Sequence, residues 1–274
     1  MLKFIIACCL VLVSIPSIAT ANEINVSGST SVARLMDVLA EHFNKQHPNT
    51  FIAVHGVDST AGIQLLKTGV AHLAMSSRYL TESEQDAGLA VYTLALDGIA
   101  VVVNIENPIK DIKKEDLYRI YQGEITNWKE LGGQDKDIAL VTREVSSGTR
   151  YSFETLLGLT KIVHDHMVSS IVNRALVVNS NGMVKTLVSH NPQAIGFIST
   201  GSIDDSIHSI SINGVQPTPA AIANHQYPLS RPFLILHYPN KDTVATNEFL
   251  RYLSSSDAQK TIAQYGYIPA PKQE

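Results

Sequence analysis

Cysteine is almost missing from this chain. Its two copies, Cys8 and Cys9, both sit in the first apolar run. The rest of the sequence can therefore build no disulfide framework and depends on its core. Long apolar runs are equally scarce. MLKFIIACCLVLVSIPSIATA opens the chain, but its run stops at Pro16, short of the ~20 residues a membrane-spanning helix needs. Lys3 ahead of the run and Ala19-Thr20-Ala21 behind it read as a secretory signal over residues 1–21, with the mature chain beginning at Asn22. Ile5-Ile6-Ala7-Cys8 resembles a lipoprotein cleavage box. A cut there would leave almost no apolar segment ahead of it, so the expectation is a secreted protein without a lipid anchor.

Positive charge is not in excess either. Lys and Arg number 21 against 25 Asp and Glu, a formal net charge of −4, and Lys3 is the only charged residue of the leader. Such a chain is not built to coat nucleic acid or an anionic membrane. Several catalytic signatures are missing. There is no G-x-S-x-G, no S-x-x-K and no G-x-x-x-x-G-K-[ST], so neither a serine hydrolase nor a nucleotide hydrolase has its motif. A hydrolase using Ser147 stays a remote alternative, because no feature places a histidine beside it. No enzyme activity and no cofactor are expected. His164-Asp165-His166 has ligand-type residues at alternate positions but no marked third ligand, and reads as a solvated loop rather than a metal site. Trp128, beside Leu131, and the helically spaced Tyr118 and Tyr121 read as packing residues.

What is present is a unit used repeatedly. Glu23 to Ser27 alternates apolar and polar like a half-buried strand. Gly28-Ser29-Thr30-Ser31 follows, and then Val32, Leu35, Met36, Leu39 and Phe43 recur at helical spacing until Pro48. The same order returns with strand 51–54, the loop Asp58-Ser59-Thr60-Ala61-Gly62 and a helix ending at Gly69. It returns again with strand 137–141, the loop TREVSSGTR at 142–150 and a helix ending at Gly158. Further strands are expected at 72–75, 98–103, 194–199 and 233–237. A helix is expected at 116–121, and Thr81-x-x-Glu84 reads as a capping box. Alternating strands and helices imply α/β architecture, whose ligands sit at the carboxyl ends of strands.

These loops suit an oxyanion. A helix start leaves about four backbone N–H groups unpaired and carries ~+0.5 charge. Serine and threonine add short hydroxyl donors, glycine permits close approach, and Arg143 supplies a fixed cationic fork. One such loop is an ordinary helix cap; three with an arginine point to an anion site.

SGSTSV, STAGI, AMSSR, LDGIAVVVN, GEITNWKELGG, TREVSSGTR and AIGFISTG occur in one order here. From about Ile24 onward the chain thereby resembles the periplasmic phosphate-binding proteins of phosphate-specific ABC transporters. The resemblance implies a two-lobed periplasmic-binding-protein fold, type II-like. Each lobe would be a mostly parallel sheet flanked by helices, with a hinge between them. Lobe I would comprise residues 22–103 plus 230–274, and lobe II residues 104–229. It implies a monomer that binds inorganic phosphate in the interlobe cleft and delivers it to a membrane permease. Another oxyanion such as sulfate or molybdate, or a sensory phosphate receptor, are the alternatives. Carried over by position, the ligand contacts are Thr30, Ser31, Ser59, Ser77, Arg143, Ser147, Gly148 and Thr149, with Ser29, Arg78 and Asp97 as further candidates. No metal is implied.

Two positions depart from the family pattern. Part of the family has an aspartate where Ser77 stands. A carboxylate there accepts the proton of monohydrogen phosphate and repels sulfate. The acceptor must then come from elsewhere, with Asp97 the first choice and Asp58 and Glu144 behind it. Val145 replaces a polar residue beside Arg143, which could turn that side chain differently.

Overall fold

The computed structural model describes residues 22–164 and 166–270. The leader, its cleavage point and the Cys8 box lie outside them, as does Asp165. Strand β1 (Asn22–Gly28) buries Ile24 and Val26 and hands over to helix α1 (Thr30–Gln46). On α1, Val32, Leu35, Met36, Leu39 and Phe43 all fall on one fully buried face, as their spacing of three and four dictates. Strand β2 (Thr50–Gly56) and helix α2 (Ser59–Lys67) repeat the unit, and strand β3 (Leu73–Ser76) follows. Both β2 and β3 run parallel to β1, one on each side. Gly28 is forced by this packing: its φ is +147°, and a Cβ there would lie 2.1 Å from the Met75 carbonyl oxygen.

The strand expected at 98–103 is longer, β4 (Ala90–Asn104). Asp97-Gly98 looks like a break in sequence, yet Asp97 is fully buried and lies opposite Arg231 in the ladder. The middle of the chain adds α3 (Lys114–Gln122), β5 (Ala139–Arg143), α4 (Gly148–Leu157), β6 (Leu176–Val178), α5 (Asn181–His190) and β7 (Ala194–Ser199). The end adds β8 (Ser230–His237), α6 (Val244–Leu253) and α7 (Ser256–Gln264). Thr160–Val163 and His166–Ser169 pair as an antiparallel hairpin whose turn holds His164 at φ 49°, where a loop was expected. Trp128 is buried and donates Nε1–H to the Gln193 carbonyl at 2.9 Å, so it is a packing anchor. Tyr121 is buried in the same core, with Tyr118 packed against it.

Ten strands form one curled sheet. Eight run in the order β2-β1-β3-β8-β4-β7-β5-β6, and Ile207–Ser209 and Ile268–Pro269 add to β4. The outer pairs are parallel, β2 and β3 on β1, and β7 and β6 on β5. β8 is antiparallel to β3 and β4, and β7 to β4. The whole sheet is mixed: a parallel trio lies at each end, and the antiparallel pairs fall at the strands that return the chain between lobes. Packing divides along β4. Leu94 and Ala95 join the core of β1, α1, β3, β8, α6 and α7, whereas Ile99, Val101 and Val103 join the core around Phe153 and Phe197. On the return, Leu229 belongs to the second core and Phe233 to the first. Ile99, Val101 and Val103 thus pack on the other side of this division from Leu94 and Ala95.

Candidate functional site

Each loop singled out in the sequence lies at the carboxyl end of a parallel strand. Ser29 follows β1 and caps α1, accepting a hydrogen bond from Ser31 N at 3.2 Å. Ser59 opens α2, and Ser77 follows β3. Arg143 ends β5, and Ser147 caps α4 by accepting from Arg150 N at 3.4 Å. The segments meet across the molecule. Ser31 Oγ lies 3.0 Å from Thr149 Oγ1, and Arg143 Nη2 donates to Thr30 Oγ1 at 3.2 Å. Ser77 N donates to Ser59 Oγ at 3.2 Å, and Ser29 Oγ to Ser77 Oγ at 2.8 Å. Gly148 sits so close that a Cβ on it would come within 2.2 Å of Ser59 Oγ and 2.7 Å of Ser77 Oγ. Only glycine fits this approach.

Ser31, Ser59, Ser77, Ser147, Thr149 and Arg143 are all buried. Arg143 has 1% of its surface exposed. Besides Thr30, its guanidinium donates to the Asn179 carbonyl at 2.8 Å and to Asn181 Oδ1 at 3.3 Å, while its Nε has no partner. Among the described residues the one carboxylate within ion-pair range of it is Asp58, at 3.6 Å. Burial lowers the Arg143 pKa to about 10; Asp58 pulls it back up and Arg231 pushes it further down. It therefore keeps its charge at neutral pH, in a site where that charge is incompletely matched. Val145 is 79% exposed and leaves Arg143 directed inward.

The three further candidates are already engaged by neighbouring groups. Arg78 does not enter the site: it forms a two-point ion pair with Glu84 at 2.6 Å, donates to Thr60 Oγ1 at 3.0 Å and lies over the Tyr151 ring. Asp97 is not an open acceptor. Its Oδ1 receives Ser199 Oγ, Thr200 N and Thr200 Oγ1, and its Oδ2 receives Arg231 Nε. Ser29 Oγ accepts from Ser31 N and donates to Ser77 Oγ. Glu144 is exposed. Asp58 is half-buried and accepts from Ser146 Oγ at 2.8 Å. Burial pushes its carboxyl above the ordinary range, against the pull of Ser146 and Arg143.

Two residues of the cluster were missed. Asn181 opens α5 after β6, a fourth strand–loop–helix handover, and donates Nδ2–H to Ser31 Oγ at 2.9 Å. The string Val178-Asn179-Ser180-Asn181-Gly182 carried that signal. Arg231 is buried and reaches Ser31 Oγ at 3.3 Å. Its signal was an arginine set against the apolar run of β8. Among the described residues no group of His, Cys, Asp and Glu could hold a metal ion, and no helix is long and apolar enough to cross a membrane. Two lobes thus converge short donors, the first turns of four helices and an arginine on one buried spot, a set made for a small anion.

The family model of the PBP superfamily domain matches residues 16–257. The phosphate-binding protein PstS of Borreliella burgdorferi is 31% identical over 249 residues, covering 89% of each chain. That of Bacillus subtilis is 33% identical over 91% of this chain and 81% of its own. Among solved structures, an ABC-type phosphate transport receptor from Vibrio cholerae is 59% identical, with a TM-score of 0.77 over 90% of this chain and all of that one. A putative phosphate ABC transporter substrate-binding protein from Clostridium perfringens, solved with bound phosphate, is 36% identical. Its TM-score is 0.86 over 91% of this chain and all of its own.

Proposed function

This chain belongs to the PBP superfamily and, within it, to the PstS phosphate-binding proteins, and from that premise we propose that it captures inorganic phosphate between its lobes and hands it to an ABC permease. The first lobe is built from residues 22–96 and 232–270, and the second from 98–229, with Asp97 and Arg231 at the crossings. Thr30, Ser31, Ser59 and Ser77 are the ligand contacts of the first lobe; Arg143, Ser147, Gly148 and Thr149 are those of the second. The protein works in the periplasm as a monomeric receptor, and the energy for transport comes from an ATPase elsewhere in the system.

The observation that carries this reading is Arg143: a buried guanidinium with an unpaired Nε, whose Nη2 donates across the cleft to the Thr30 hydroxyl. A buried charge of this kind is stable only when paired, and a phosphate dianion offers oxygens for both edges of the fork. Calorimetric titration of ligand-stripped protein with phosphate, arsenate, sulfate and molybdate tests it. The expected outcome is tight phosphate binding, weakened by roughly a hundredfold or more in Arg143→Ala, the scale of losing two charge-assisted hydrogen bonds. Wild-type affinity for phosphate in that variant counts against the site.

A further inference from the structure

Arg231 has no place among the contacts carried over from the family, yet it faces the same spot as Arg143. It opens β8 directly opposite Asp97 of β4, and both side chains are buried. The two edges of its guanidinium differ. Toward Asp97 the distances are short, 2.9 Å from Nε and 2.8 Å from Nη2 to Oδ2. Toward the site they are long, 3.3 Å from Nη2 to Ser31 Oγ and 3.4 Å from Nη1 to the Ser77 carbonyl. Distances at that end of the range mark weak hydrogen bonds. The fork is anchored on its inner edge and loosely engaged on its outer one.

Ser31 shows where the outer edge points. Its hydroxyl oxygen accepts from Arg231 and from Asn181, leaving its own proton for Thr149 Oγ1 at 3.0 Å. Donors from β8 and α5 therefore converge beside α1, and Thr149 of α4 closes the ring. Arg143 joins through Asn181, to which it donates at 3.3 Å. Two guanidinium groups face one buried region, and Arg231 is among the causes that lower the Arg143 pKa. Like charges held this close are costly without an anion between them.

We propose that Arg231 is a second guanidinium ligand of the bound anion, and that Asp97 is the residue that aims it. The inference rests on the anion-binding reading above. Asp97 matches the charge of Arg231, so the pair contributes directed N–H groups while Arg143 contributes the net charge. Its position matters as well. The pair sits on the two strands that cross between lobes; Arg231 touches the Ser31 and Ser77 loops of the first lobe, and Asp97 holds Ser199 and Thr200 of the second. An anion seated on Arg231 is thereby tied to the hinge.

Calorimetry with the mature chain separates the possibilities. Arg231→Lys keeps the charge and loses the fork. The double variant Asp97→Asn/Arg231→Gln replaces the ion pair with neutral amides of similar shape, so that no unpaired charge is buried. Both are expected to weaken phosphate binding by roughly tenfold or more, the scale of a hydrogen bond to a charged group, measured well below their melting temperatures. A merely structural pair would lower the melting temperature and leave the dissociation constant in place. Asp97→Asn alone leaves the Arg231 charge present, so weaker binding in that variant reports lost aim; unchanged or tighter binding overturns the role of Asp97. Dissociation constants within about threefold of wild type in both Arg231 variants overturn the role of Arg231, and the anion reading then survives if Arg143→Ala still fails to bind. A wild-type chain that binds none of phosphate, arsenate and sulfate overturns both.

Discussion

The hydroxyls of the site are useful because each already accepts one hydrogen bond from the protein. Ser77 Oγ accepts from Ser29, Ser59 Oγ accepts from Ser77 N, and Thr30 Oγ1 accepts from Arg143. Each then has a proton left to give, and a buried proton donor without a partner costs ~1–3 kcal/mol. An anion that accepts everywhere meets this set well; one that must also donate needs an acceptor. Monohydrogen phosphate donates and sulfate does not. With Asp97 spent on Arg231, Asp58 is the carboxylate beside Arg143. Asp58→Asn is expected to narrow the preference for phosphate over sulfate by roughly tenfold or more, measured by competition at pH 8. The pH sign follows from its raised pKa. The fold favours the protonated form relative to the unfolded chain, so that stabilisation is present below the ordinary aspartate pKa and is lost as pH rises through the higher folded value. Acidification through that folded value removes the acceptor, so the wild-type preference should shrink toward that of the variant as pH falls. A preference independent of the Asp58 substitution assigns the acceptor role elsewhere.

Helix starts, rather than single residues, set the geometry of the site. α1, α2, α4 and α5 all begin at the carboxyl ends of parallel strands, where unpaired amides and the helix dipole favour an anion. Three of these starts were legible in the sequence because each has a small polar loop between an alternating strand and a 3.6-period helix. The fourth was hidden: β6 has only three residues, too few to show alternation. The pairing of Asp97 with Arg231 was illegible for a different reason. Their pairing joins residues distant in sequence, and a charged residue inside a strand reads locally as a break. The helices α6 and α7 completed the first core without being foreseen. Asn181→Ala tests the fourth start. It removes a donor to Ser31 and an acceptor from Arg143, while Ser180, which caps α5 by accepting from Met183 N, stays in place. Phosphate affinity should fall about tenfold with the far-ultraviolet circular dichroism unchanged. Wild-type affinity would confine Asn181 to packing.

At the scale of the whole molecule, the contacts that bridge the lobes are few and polar. Ser31 with Thr149, Thr30 with Arg143, Ser77 with Ser152, and Asp58 with Ser146 link side chains or carbonyls across the cleft. Each apolar core stays largely within its own lobe, and β4 and β8 carry the chain across. A junction without a large apolar interface is prone to opening. A ligand can bias that motion only through contacts it gains in the closed form, and on the proposed reading these hydroxyls and guanidinia supply them from both sides. Phosphate should therefore lower the radius of gyration measured by small-angle scattering and raise the melting temperature. The latter gain is about 2.7 kcal/mol of added stability when free phosphate is a hundred times its dissociation constant. Arg143→Ala should show neither response at the same phosphate concentration, because it removes the charge that makes the closed form the better binder. If phosphate raised the melting temperature of the wild type without compaction, the ligand would be held by one lobe alone, and the assignment of contacts to both sides of the cleft would fail.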